Sequence, residues 1–205
     1  ALLWPRHRAF ARLRIRAVTS HGSEAGPNLF HLLAGRAREY PNHVAARTRR
    51  QGSWTWSTWG DLHGAASGVA LALIDRGVQV GDRVALFSAS REEWVTADFG
   101  ILGAGAVTVP IYPTATTEQV AWILGNARAG TVVVEGPSQL DTVRGALARI
   151  PPVRELIVMD TAAPQASAGG DGQPTITAFV DPVRAGRASL DNGGKARLLG
   201  AVGQI

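Results

Sequence analysis

The chain has 205 residues, of which 45% are apolar, with no cysteine and a formal net charge of +5. At this length roughly 70% of the unfolded surface can be buried, so a sizeable core is feasible. The missing cysteines exclude disulfides and thiolate metal sites and fit a reducing compartment, while no apolar run approaches the ~20 residues that a transmembrane helix needs.

The basicity belongs to the first residues. Arg6, Arg8, Arg12, Arg14 and Arg16 precede the first acid, Glu24, and the remainder is nearly neutral. With Trp4, Phe10 and Ile15 among them, residues 1–26 have three readings: an amphipathic membrane-surface or targeting segment, a nucleic-acid-contacting arm, or a flexible leader, the ordinary behaviour of a chain end. The leader is the expectation, with no nucleic-acid partner. The chain starts at Ala1 and its one methionine is Met159, which fits a piece of a longer protein.

From Pro27-Asn28 a helix is expected over Leu29–Tyr40, with Leu29, Leu32, Leu33 and Ala37 at helical spacing and Pro41 ending it. Val44–Arg50 and Ser53–Trp56 flank Gln51-Gly52 as a hairpin. Ser57 or Thr58 caps a helix that runs to Arg76, and Gly77 supplies its left-handed stop. Asp82–Ser88 is an apolar strand. Ser90 and Glu93 have the spacing of a capping box, and the helix they open ends near Gly103–Gly105. Strand Val107–Tyr112 follows, then a second capping box at Thr116 and Gln119 and a helix through Asn126. Thr131–Glu135 and Glu155–Met159 are strands around a helix over Ser138–Arg149. Strand–helix alternation with fully apolar strands gives an α/β fold, a mostly parallel sheet covered by helices on both faces, with a small hairpin near the N-terminus. Residues 161–174 are rich in Ala, Gly, Ser and Pro and read as a linker, and 175–205 show weak periodicity. The expected division is therefore a leader over 1–26, an α/β subdomain over 27–160, and a linker with the incomplete start of a further segment over 161–205.

The motifs that carry chemistry are few. Gly100-Ile-Leu-Gly103-Ala-Gly105 has Thr108 where a dinucleotide fingerprint needs glycine, and it lies between a helix and a strand, the reverse of a pyrophosphate loop. It reads as a helix end. Gly193-Gly194-Lys195-Ala196 fails as a phosphate loop, because Ser189 holds the first glycine position and Ala196 cannot ligate magnesium. His7, His21, His31, His43 and His63 lack metal-ligand spacing, and no serine sits in a nucleophile elbow. No catalytic residue and no metal ligand is assigned. Trp54 and Trp56 share a strand face. With no basic residue interleaved on that strand, core packing is favoured over a base-stacking platform.

Three stretches together resemble a family. TWSTWGDL (Thr55–Leu62), GVQVGDRVALFSASREEWVTADFGILGAGAVTVPIYPTATTEQVAWIL (Gly77–Leu124) and VVVEGPSQLDTV (Val132–Val143) are similar, in order and spacing, to the N-terminal region of AMP-forming long-chain fatty acid–CoA ligases. The resemblance covers about Asn28 to Asp160 and rests on structural motifs. It implies that ATP and a fatty acid form an acyl-adenylate, which coenzyme A then captures, with Mg2+ assisting. It also implies a phosphate loop of the form T-S-G-T-T-G-x-P-K-G, an acidic metal and adenine motif, a ribose-binding Asp and a C-terminal catalytic lysine. None of these occurs here, and Lys195 matches neither lysine position, so the chain alone is expected to be inactive as a ligase. For coenzyme A the resemblance points to the turn Tyr112-Pro113-Thr114, with Arg91 and Arg144 as weaker candidates for its phosphates. A cytoplasmic protein is implied, with peripheral membrane contact and a homo-oligomer left open. Two rivals remain: a ligase for another acid, and a non-catalytic module whose Arg-rich tail contacts membrane or nucleic acid.

Overall fold

The computed structural model describes residues 28–50, 52–160, 173–179 and Leu198. Helix α1 (Leu29–Glu39) opens at Asn28, whose side chain accepts from the His31 backbone N–H while the His31 ring faces the Asn28 amide. An antiparallel ribbon follows, β1 (Val44–Arg50) and β2 (Ser53–Thr58), turning at Gly52 with φ +83°. Helix α2 (Trp59–Asp75) is capped by Thr58 and Asp61 in a reciprocal box, and Gly77 ends it at φ +82°, the conformation that glycine adopts without strain.

Five parallel strands form the central sheet: β3 (Arg83–Phe87), β4 (Val107–Ile111), β5 (Thr131–Val134), β6 (Glu155–Val158) and β7 (Thr175–Ala178), in the order β4-β3-β5-β6-β7. Between them run α3 (Glu92–Gly103), α4 (Thr117–Ala127) and α5 (Pro137–Ala146), the last followed by a 3-10 turn, Leu147–Arg149. The inner strands β3, β5 and β6 are mostly apolar because both their faces are buried, whereas the edge strands β4 and β7 are only partly buried. On β3, Val84 and Leu86 join the core under α1, α2 and α3, whereas Ala85 and Phe87 join the second core under α4 and α5. Helices therefore cover both faces, as expected.

The end of α3 packs closely on α2 and α1. A Cβ on Gly100 would stand 2.5 Å from Val69, and one on Gly103 would stand 2.8 Å from the Phe30 ring. Only glycine lets these helices approach so closely. The glycines near residue 103 thus end and pack a helix, and Gly105 takes φ +75° in the turn to β4. Strand β4 lies at the sheet edge and contains Pro110, exposed to solvent, at the kind of position where a strand tolerates proline.

Four expectations change. Ser90 does not cap α3. Arg91 is its N-cap, without a side-chain cap bond, because Glu93 accepts from the Arg91 guanidinium at 2.8 Å instead of reaching back to a backbone amide, and a bond between charged partners is the stronger one. Trp54 and Trp56 do not pack in a core, being 61% and 68% exposed: the inward face of the ribbon is the one carrying Thr48, which donates to Glu92 of α3 at 3.2 Å. Tyr112 falls just beyond β4 instead of ending it. Finally, β7 pairs with β6 after the expected boundary at Asp160, and Phe179 and Leu198 are buried in the α1–α3 core. Sheet and core continue past residue 160. The leader, most of the 161–174 linker and Gly193–Ala196 lie outside the described residues.

Candidate functional site

Parallel strands place all their C-terminal loops at one edge, where open α/β sheets receive ligands. Here that edge carries Ser88-Ala89-Ser90 after β3, Tyr112-Pro113-Thr114 after β4, Glu135-Gly136 after β5 and Met159-Asp160 after β6. The crevice between β3 and β5 is the topological switch point, since α3 leaves toward one face and α5 toward the other.

The protein fills that crevice itself. Glu135 Oε2 accepts from the Ala89 amide at 2.7 Å and from Ser88 Oγ at 3.4 Å. Arg91 reaches Glu93 and Asp160, each at 2.8 Å, and Glu135 at 3.8 Å. Hydrogen bonding to Glu93 holds the Arg91 proton more tightly than usual; burial opposes this, and the bond to Asp160 reinforces it. Asp160 leans over Gly136, where a Cβ would stand 2.6 Å from its carboxylate oxygen. The donors that would greet an anion thus already serve an internal carboxylate. Arg91 is committed to three acids, and Arg144 makes an exposed pair with Asp141 at 3.3 Å.

The open ground lies beside β4. Tyr112 is 83% exposed and stands between two clefts. One, of about 410 Å³, is lined by Tyr112, Thr114, Ala115, Gln119, Trp122 and Ile123. The other, of about 450 Å³, runs along Ser88, Ser90, Trp94, Pro110 and Pro113. The turn between them is well fixed. Pro113 locks φ, the Ala115 amide donates to the Tyr112 carbonyl at 3.0 Å, and Thr116 and Gln119 cap α4 reciprocally at 3.4 and 2.9 Å. Tyr112, Pro113 and Thr114 are therefore brought together on a rigid, accessible edge.

Sequence reasoning missed Trp122, 70% exposed on the wall of the first cleft. The signal was present: α4 buries Val120 and Leu124, and at 100° per residue position 122 points to the opposite side. Among the described residues, no cluster of His, Cys, Asp and Glu has the make-up of a metal site. His43 stacks on Tyr40 at 5.2 Å, and His63 lies against Phe30 at 5.5 Å, where burial pushes its pKa down.

A family model described as AMP-binding enzyme matches residues 33–186, a range that takes in this whole edge and β7. The chain belongs to the AMP-binding enzyme family. It is 39% identical over 145 residues to the long-chain-fatty-acid–CoA ligase FadD15 of Mycobacterium bovis, covering 71% of this chain and 24% of that ligase. The chain thus spans about a quarter of that relative's length. It is also 32% identical over 127 residues to uncharacterized protein Rv1549 of Mycobacterium tuberculosis, covering 62% of this chain and 69% of that protein. Among solved structures it resembles a Mycobacterium tuberculosis fatty acyl CoA synthetase, with 27% identity, a TM-score of 0.58, and 71% of this chain and 31% of that one covered.

Proposed function

We propose that this chain is the N-terminal part of a long-chain fatty acid–CoA ligase and that it supplies the wall against which coenzyme A docks. The 39% identity to FadD15 over 145 residues supports this reading. In the complete reaction ATP and Mg2+ would turn the fatty acid carboxylate into an acyl-adenylate that the coenzyme A thiol then attacks. The residues present do not fit the ATP and metal half of that chemistry. Among the described residues no group of His, Cys, Asp and Glu is placed to hold a metal ion, and the switch-point donors are occupied by Glu135.

They fit the coenzyme A half better. The exposed rings of Tyr112 and Trp122 border one cleft and offer flat apolar faces to a purine or a pantetheine arm. Thr114 adds a hydroxyl at the same wall, and Pro113 keeps the turn from folding over it. This chain's contribution is binding and orientation. The protein is a cytoplasmic enzyme part in this reading, and its acid has a long alkyl chain.

Two measurements test it. The purified chain should show no fatty-acid-driven ATP–pyrophosphate exchange, and any such exchange overturns the assignment of inactivity. Coenzyme A should quench indole fluorescence in the parent and bind several-fold more weakly to Tyr112→Ala; equal binding by both removes Tyr112 from the site. Rv1549, most of whose length is matched, favours a second reading in which a unit of this size serves as a coenzyme A-binding module by itself. Coenzyme A binding without exchange activity suits both readings, and restored exchange on adding the remaining domains of a ligase selects the first.

A further inference from the structure

The ribbon β1–β2 carries a surface that neither the central sheet nor the clefts beside Tyr112 use. Its register sets Arg47 opposite Trp56 and Arg49 opposite Trp54. Side chains alternate along a strand and cross-strand partners share a face, so all four project to one side. All four are exposed. The two indoles and Arg47 border a shallow hollow of about 340 Å³. The opposite side is anchored: Thr48 bonds Glu92 of α3, Ser57 is buried, and the Trp59 amide donates to the His43 carbonyl at 3.0 Å. A fixed scaffold therefore holds the tryptophans in water.

Among the described residues, no ion pair engages Arg47 or Arg49. Two unneutralised guanidinium groups beside two indoles suit a partner that presents negative charge and apolar matter at nearly the same depth. An anionic lipid surface does this. Indole rings settle at the boundary between headgroup and acyl chain, arginine stems lie along apolar surface with their heads at the phosphates, and an anionic leaflet attracts basic residues held near it. A nucleic-acid strand shares the chemistry but not the length. Two residue pairs along a ribbon span about 7 Å, short of the ~4 nucleotides that small single-strand modules track.

We propose that the Arg47–Arg49–Trp54–Trp56 face of the ribbon docks this protein onto an anionic lipid surface. The proposal goes beyond the ligase reading and stands or falls without it, because its test uses no catalysis. The full chain, with Trp4→Phe to silence the leader's indole, is mixed with vesicles of phosphatidylcholine containing about one third phosphatidylglycerol. Co-sedimentation is expected, weaker by about tenfold or more on phosphatidylcholine alone. Acyl chains brominated near the headgroup should quench the indole emission. Trp54→Ala/Trp56→Ala should lose about tenfold in partitioning and most of the quenching, with an unchanged circular dichroism spectrum. Trp54→Phe/Trp56→Phe, which keeps apolar area, should lose the quenching but retain most of the binding. Arg47→Gln/Arg49→Gln should weaken binding and flatten its salt dependence. Binding by the double alanine variant as tight as the parent's assigns docking to the basic leader or another face and overturns the proposal. So does an absence of vesicle binding, or a short single-stranded oligonucleotide bound through these four residues while vesicles are ignored.

Discussion

Two stretches scarcely ten residues apart, Gly100–Gly103 at the end of α3 and Tyr112–Trp122 after β4, flank the same strand in opposite ways. At the first, α2 and α3 approach until no Cβ fits, and Ala66, Ala70 and Ile101 are sealed. At the second, two large aromatic side chains stand in solvent on a turn held by a proline and a capping box. The contrast separates what keeps the fold from what is proposed to face a ligand. Close packing is sealed at the first stretch, and the second keeps its aromatic side chains exposed on a fixed turn.

The largest effect that would sharpen this contrast comes from the sealed side. Phe87, 1% exposed where β3 meets the second core, should cost about 3–5 kcal/mol when changed to Ala, measured by urea unfolding. Gly100→Ala forces a methyl group against Val69 and should cost about 1–3 kcal/mol, read as a fall in Tm; an unchanged Tm would show that the crossing relaxes freely. Thr116→Ala removes the cap of α4 and should cost about 1 kcal/mol, visible in urea midpoints. Tyr112→Ala should stay within about 0.5 kcal/mol, as exposed substitutions do. Its effect should appear only in coenzyme A titrations, and a loss of stability rivalling that of Gly100→Ala would break the comparison.

The smallest effect is a pH dependence. Burial against Phe30 holds the His63 pKa below its ordinary value, so the folded state favours the neutral ring. Its contribution is complete above the unfolded pKa of about 6.5 and declines as pH falls below it toward the folded value. Tm should therefore drop slightly on acidification through that window, and His63→Gln should flatten the drop.

Most of the architecture was legible because periodicity and caps are local. Thr58, Thr116, Gly77 and the apolar strands act where they are written, and the expected strands already put Tyr112, Pro113 and Thr114 at the C-terminal edge of the sheet; their proposed coenzyme A role came only from the family resemblance. What was not legible depends on distant partners. Glu93 left its capping role because Arg91, drawn toward Asp160, offered it a charge. The strand Thr175–Ala178 has little pattern of its own and exists by pairing with β6, where Thr177 also donates to Glu155 at 3.0 Å. Trp54 and Trp56 looked like core residues because a strand's alternation shows that they share a face without showing which face meets α3.

Pro110 has a consequence for how this protein behaves in a crowd. On β4 the Val107 amide points inward to the Asp82 carbonyl at 2.7 Å, so alternation turns the nitrogens of residues 108 and 110 toward the open edge. The second of these carries no hydrogen. An incoming strand would find one donor where a continuous ladder needs two, and the outermost strand of the sheet is poor seed for strand-by-strand aggregation. Among the described residues β4 pairs only with β3, and its proline discourages a second copy from zipping onto the other side.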